Sequence, residues 1–124
     1  MALAVERNIA VLNAAPYAGG VFAKGTTNHA RYVYQEADAA TLEPVRAIEA
    51  LCEAHNVPPG ALALQFSMRD PRVVSTICGV SKPERVEQTL SWAHWPIPDT
   101  VWAALETVAY SNDDPEATRI YQPD

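Results

Sequence analysis

Basic side chains are scarce in this sequence: nine Lys and Arg stand against fifteen Asp and Glu, which leaves a net charge of −6 over 124 residues. That balance argues against a nucleic-acid partner, which needs a basic surface. Long apolar runs are missing as well. No stretch approaches the roughly 18 residues of a membrane span, and no charged start followed by an apolar core marks a secretion signal. The chain therefore reads as soluble and cytoplasmic, one domain at most or a piece of a larger one. There are two cysteines. Cys52 and Cys78 each sit inside an apolar pattern, which favours buried thiols over a disulfide or a metal pair. His29, His55 and His94 lack ligand spacing, so no metal is assigned. Nothing repeats internally.

What is present concentrates between Gly79 and Thr89. The run Val73-Val74-Ser75-Thr76-Ile77-Cys78 is rich in β-branched residues and bounded by Asp70-Pro71 and Gly79, so it predicts a strand over 73–78. Ser81-Lys82-Pro83-Glu84 has the form of a capping box opening a helix over 82–93. At about 100° per residue, Ser81, Arg85, Gln88 and Thr89 share one stripe, while Val86, Leu90 and Ala93 share the opposite, packing stripe. Backbone N–H groups and the helix dipole at such a start favour an anion, and Arg85 adds a planar cation one turn in. Capping boxes followed by arginine also open many helices that bind nothing.

Elsewhere, residues 1–8 read as the end of a helix with Asn8 as a left-handed stop. Residues 9–13 form a short apolar strand. A loop follows over 14–40, opening with the small residues Ala14 to Gly20 that admit close backbone approach. The part from Val21 to Ala40 is polar and long for a compact domain, hence a functional loop or a disordered one. Helices occupy 41–69: one from about Leu42 to His55, with Val45, Ile48, Leu51 and Cys52 inward and Glu43, Arg46 and Glu49 outward, and one from Pro59 to Arg69 with Leu62 and Phe66 paired. A last helix over 99–109 is capped by Asp99 and buries Val101, Leu105 and Val108. Residues 110–124 form a polar tail with Asp113-Asp114 in a solvated turn. The order gives a βαβα unit with parallel strands and a right-handed crossover. Two loops at the carboxyl ends of the strands then share one rim, where ligands of α/β folds sit.

Asn13-Ala14-Ala15-Pro16-Tyr17-Ala18-Gly19-Gly20 followed by Gly79-Val80-Ser81-Lys82-Pro83-Glu84-Arg85 resembles the aldo-keto reductase superfamily, near the end of its (β/α)8 barrel. The wording is nearest to its sugar-oxidising branch, the D-threo-aldose 1-dehydrogenase and L-fucose dehydrogenase group. The resemblance implies an α/β fold, the last two βα units plus a C-terminal helix of a TIM barrel. It implies NADP or NAD as cofactor. Ala15, Pro16, Tyr17, Ala18 and Gly20 would run along the pyrophosphate. Gly79, Ser81, Arg85, Gln88 and Thr89 would hold the adenosine end, and Lys24 and Arg31 would close over the cofactor.

The family's wording is departed from at two places. Gly79-Val80 stands where many relatives have Lys-Ser, so one cation for a 2′-phosphate is absent and the choice between NADP and NAD stays open. Thr89 stands where relatives usually have asparagine. The family's catalytic tyrosine, lysine, aspartate and histidine come from earlier strands, and none of Tyr17, Tyr32, Tyr34, Tyr110 or Tyr121 matches the tyrosine position, so no catalytic residue is named. A full barrel needs eight strands and about 250 residues. The expectation is thus a C-terminal, cofactor-binding fragment of an aldose dehydrogenase, inactive alone, with a sugar or aldehyde as substrate of the complete enzyme. Unpaired strand edges would favour self-association. A non-catalytic nucleotide-binding relative and a small protein-interaction module are the alternatives.

Overall fold

The computed structural model describes residues 1–32 and 35–109. The tail from Tyr110, and Tyr34, lie outside the described residues. Helix α1 (Ala2–Glu6) leads to strand β1 (Val11–Ala14), a 3-10 turn (Ala18–Gly20) and the short helix α2 (Val21–Lys24). The two-residue strands β2 (Arg31–Tyr32) and β3 (Gln35–Glu36) follow, then α3 (Ala39–Ala54), α4 (Pro59–Arg69), β4 (Val73–Ile77), α5 (Pro83–Ala93) and α6 (Asp99–Leu105).

Strands β1 and β4 pair in parallel, with Leu12 opposite Ser75, Asn13 opposite Thr76 and Ala14 opposite Ile77. The register shifts between Val11 and Leu12. Ala15 N–H extends the ladder to the Ile77 carbonyl at 3.1 Å. Parallel pairing of this kind sends both carboxyl ends, and the loops that follow them, to one rim. Strands β2 and β3 make a separate antiparallel pair.

Three small clusters hold the helices. Cys52, Val57, Leu62 and Val101 join α3, α4 and α6. Val21, Leu42 and Val45 fix α2 on α3. Ala61, Leu64 and Trp92 join α4 to α5. The Arg69 guanidinium over the Trp102 ring, 4.4 Å from its centroid, ties α4 to α6 by cation–π attraction. Among the described residues no helix is long and apolar enough to cross a membrane.

Several local expectations are corrected. The 14–40 segment carries structure of its own, because Val21 is fully buried against α3 and anchors α2. Helix α3 begins at Ala39 rather than Leu42: the Asp38 carboxylate accepts from Thr41 N–H at 2.8 Å, and this cap sustains the helix start although Pro44 forgoes one bond. The capping box of Ser81 and Glu84 does not form; Lys82 is the N-cap, without a side-chain bond. Pro83 is the cause, since a residue before proline is driven to extended geometry, and Lys82 has φ −145° and ψ 148°. Asp99 lies in the first turn of α6, with Pro98 as N-cap. Helix α6 stops at Leu105, short of residue 109, where the Thr107 hydroxyl donates to the Ala104 carbonyl and competes with a further turn.

Two packing faces also differ from expectation. Val86 and Leu90 are 46% and 58% exposed, whereas Trp92 is buried. The indole carries the largest apolar area on α5, and its burial over Gly60 sets the rotation of the helix. Phe66 is 64% exposed although Leu62, one turn earlier, is fully buried. The cluster around Leu62 ends before reaching it.

Candidate functional site

The loop after β1 turns on an unusual backbone. Ala15 has φ 56°, Ala18 φ 48°, Gly19 φ 71° and Gly20 φ 103°. Positive φ is costly for alanine, so this path is imposed by its surroundings. Gly20 N–H donates to the Tyr17 carbonyl at 2.9 Å and closes the turn. A Cβ placed on Gly20 would come within 3.7 to 3.9 Å of Lys24 Cε, His29 Nε2 and Lys24 Nζ. Glycine therefore leaves a small space there, with an ammonium group beside it.

Tyr17 joins this loop to helix α5. Its ring meets Trp92 edge-on, with centroids 5.6 Å apart. Its hydroxyl is buried and has no hydrogen-bond partner among the described residues. Thr89 and Cys78 lie beside the hydroxyl, outside hydrogen-bonding geometry, and Arg85 is near enough for its charge to act on it. Burial raises the phenol above its ordinary value. The Tyr17 ring, expected along a pyrophosphate, stands on the loop after β1 with its edge against Trp92 of α5.

On the second loop, a Cβ at Gly79 would meet nothing within 4 Å, so the backbone there is open to approach. Ser81 is exposed. The Arg85 Nη1 group donates to Gln88 Oε1 at 3.1 Å, one turn apart on the outer surface of α5. Thr89 is half-buried toward Tyr17. Thr89 and Cys78 also border an open, mostly apolar groove of about 360 Å³ between α4 and α5, with Val74, Met68 and Leu90.

The parallel pair therefore brings Ala15, Pro16, Tyr17, Ala18 and Gly20 to the same rim as Gly79, Ser81, Arg85, Gln88 and Thr89. Lys24 stands over Gly20. Arg31 is exposed on β2, which lies against the Ala18–Gly20 turn. Three participants escape sequence reasoning. Trp92 supplies the surface for Tyr17. His29 Nε2 lies 3.1 Å from the Gly19 carbonyl. Glu49, expected in solvent, accepts from Thr26 N–H at 2.7 Å and from the Thr26 hydroxyl at 2.6 Å. His29 lies ten residues from Gly19, so no local pattern marks the second; nothing in the pattern of α3 marks Glu49.

A family model described as the Aldo/keto reductase family matches residues 1–109. The chain belongs to the aldo/keto reductase family. Pyridoxal 4-dehydrogenase of Microbacterium luteolum is 30% identical over 105 residues, which cover 85% of this chain and 31% of that protein. D-threo-aldose 1-dehydrogenase of a Pseudomonas species is 29% identical over 101 residues, 81% of this chain and 31% of that protein. The chain spans about a third of the length of these relatives. Its α/β architecture, with a partial parallel sheet, accords with a part of the family's barrel.

Proposed function

We propose that this chain is the C-terminal, cofactor-binding part of an NAD(P)-dependent aldo/keto reductase, the last two βα units of a (β/α)8 barrel followed by a C-terminal helix. The observation that carries the reading is the shared rim: two loops at the carboxyl ends of two parallel strands, the second with open backbone at Gly79, and Tyr17 of the first set edge-on against Trp92 of α5. The fit to a dinucleotide rests on the space at Gly20 beside Lys24, the unobstructed backbone at Gly79, and the unpartnered Tyr17 hydroxyl. Ala15, Pro16, Tyr17, Ala18 and Gly20 would line the pyrophosphate, with Lys24 and Arg31 supplying positive charge over it. Gly79, Ser81, Arg85, Gln88 and Thr89 would receive the adenosine end, with Arg85 facing a 2′-phosphate where one is present.

When bound, the nicotinamide supplies hydride exchange. In the complete enzyme the substrate would be a sugar whose anomeric carbon is oxidised to a lactone. Two relatives named as dehydrogenases, one of an aldose and one of pyridoxal, support an oxidation of a small carbonyl-related compound. The acid–base residues of hydride transfer would come from strands other than β1 and β4, so the 124 residues by themselves bind without turnover.

Calorimetry of the chain with NADP+ and with NAD+ tests the binding, and absence of heat with both rejects it. A sugar-dependent rise in nicotinamide absorbance in a form carrying all eight barrel strands tests the activity.

A further inference from the structure

Helix α2 is pinned at both ends by residues not assigned to the cofactor. At its start, the carbonyl of Gly19 can only accept, so His29 must present Nε2–H to it, at 3.1 Å. Just beyond its end, the Glu49 carboxylate takes both donors of the well-buried Thr26, one on each oxygen. Between these points Val21 is fully buried against Leu42 and Val45 of α3. The helix so fixed carries Lys24, whose Nζ lies beside Gly20.

The held segment is a strained one. Ala18, Gly19 and Gly20 take φ of 48°, 71° and 103° in succession. Such a path persists when neighbouring contacts over-determine it, and a segment ordered in advance binds without the cost of ordering it on contact. His29 and Glu49 grip the carbonyl of Gly19 and the far end of α2, and neither belongs to the set of residues assigned to the cofactor.

From this geometry we infer that His29 and Glu49 are positioning residues. They set the Ala18–Gly20 backbone and the Lys24 ammonium before a dinucleotide phosphate arrives. The inference rests on the reading of that loop as the pyrophosphate site.

The test is the affinity of the chain for NADP+ by calorimetry, at a temperature well below the melting point of every variant used. His29→Ala and Glu49→Gln are expected to bind about tenfold more weakly, the scale of one or two lost hydrogen bonds. His29→Gln, whose side-chain amide can still donate to Gly19, is expected to recover most of the affinity, and Glu49→Asp part of it. The double variant should lose less than the product of the single losses, because both act on one element. Hydrogen exchange at Ala18 to Gly25 in the ligand-free chain should quicken in the weak variants and return in His29→Gln. Wild-type binding matched by all variants overturns this inference and leaves the dinucleotide reading standing. No binding by the wild type overturns both.

Discussion

The Tyr17 ring stands edge-on against Trp92, 71° from parallel, and so couples the loop after the first strand to the helix after the last one. Edge-to-face pairs of this sort add about 0.5–1.5 kcal/mol beyond their burial. The hydroxyl at the ring's tip contributes nothing comparable, since it is buried without a partner among the described residues. Tyr17→Phe should therefore melt at the wild-type temperature or up to about 4 °C above it. A lower melting point would mean that the hydroxyl has a partner after all.

Gly60 opens α4 directly under the same indole. An added Cβ would sit 2.4 Å from Trp92 Cζ3 and 2.5 Å from Cη2. Gly60→Ala is expected to cost about 1–3 kcal/mol by overpacking, read from urea unfolding. Adding Trp92→Leu to Gly60→Ala should cost less than the sum of the two single changes, as the clash is shared.

Arg85 and Gln88 offer a test of cofactor choice. In a form that binds both dinucleotides, Arg85→Ala should lower affinity for NADP+ by about tenfold or more, and affinity for NAD+ much less. Titration calorimetry reads both. Equal losses would remove Arg85 from a role at the 2′-phosphate.

The two thiols should behave differently. Burial, with the charge of Glu49 nearby, pushes Cys52 up to about 11 from its ordinary value of 9.0. Iodoacetamide at pH 8 should label half-buried Cys78 and spare Cys52 until the chain is denatured. Between pH 9 and about 11 the unfolded chain releases a proton that the folded chain keeps. Stability should therefore fall as pH rises through that window.

Asp70 accepts from Arg72 through both its side chain and its backbone N–H. The bond from the guanidinium, foremost, draws the Asp70 carboxyl down to about 2 from 3.8. The pair's contribution is thus fully present above the ordinary carboxylate value and is lost as pH falls through about 2. Side-chain carboxyl shifts in an NMR titration should show this midpoint, and Arg72→Ala should return it toward 3.8.

Residue pattern revealed the parallel partners and the two loops at their ends, because β-branched runs bounded by Gly and Pro have few other uses. Positive φ at Asn8 was legible for a similar reason: asparagine tolerates the left-handed region where most side chains do not. Faces were harder to read. A stripe of Val86 and Leu90 reads as inward by periodicity, yet one indole outweighs two aliphatic residues once Gly60 leaves room for it. Pro83 likewise overrode a sound capping pattern by fixing its predecessor. Glu49 was illegible in principle, since its partner Thr26 lies 23 residues away in the sequence. The candidate site followed the same division: its backbone elements could be read, and the side chains bracing them could not.

Ser67, buried in α4, receives the Asn13 side-chain amide at 2.7 Å and touches the Thr76 hydroxyl at 2.7 Å. Asn13 and Thr76 face each other across the sheet. A single oxygen thus serves as the alignment gauge for the whole sheet. Slide β1 by one residue and that oxygen would confront Leu12 or Ala14, with the asparagine amide stranded. Ala at position 67 would remove the gauge without emptying much volume, leaving misalignment, more than collapse, as its signature.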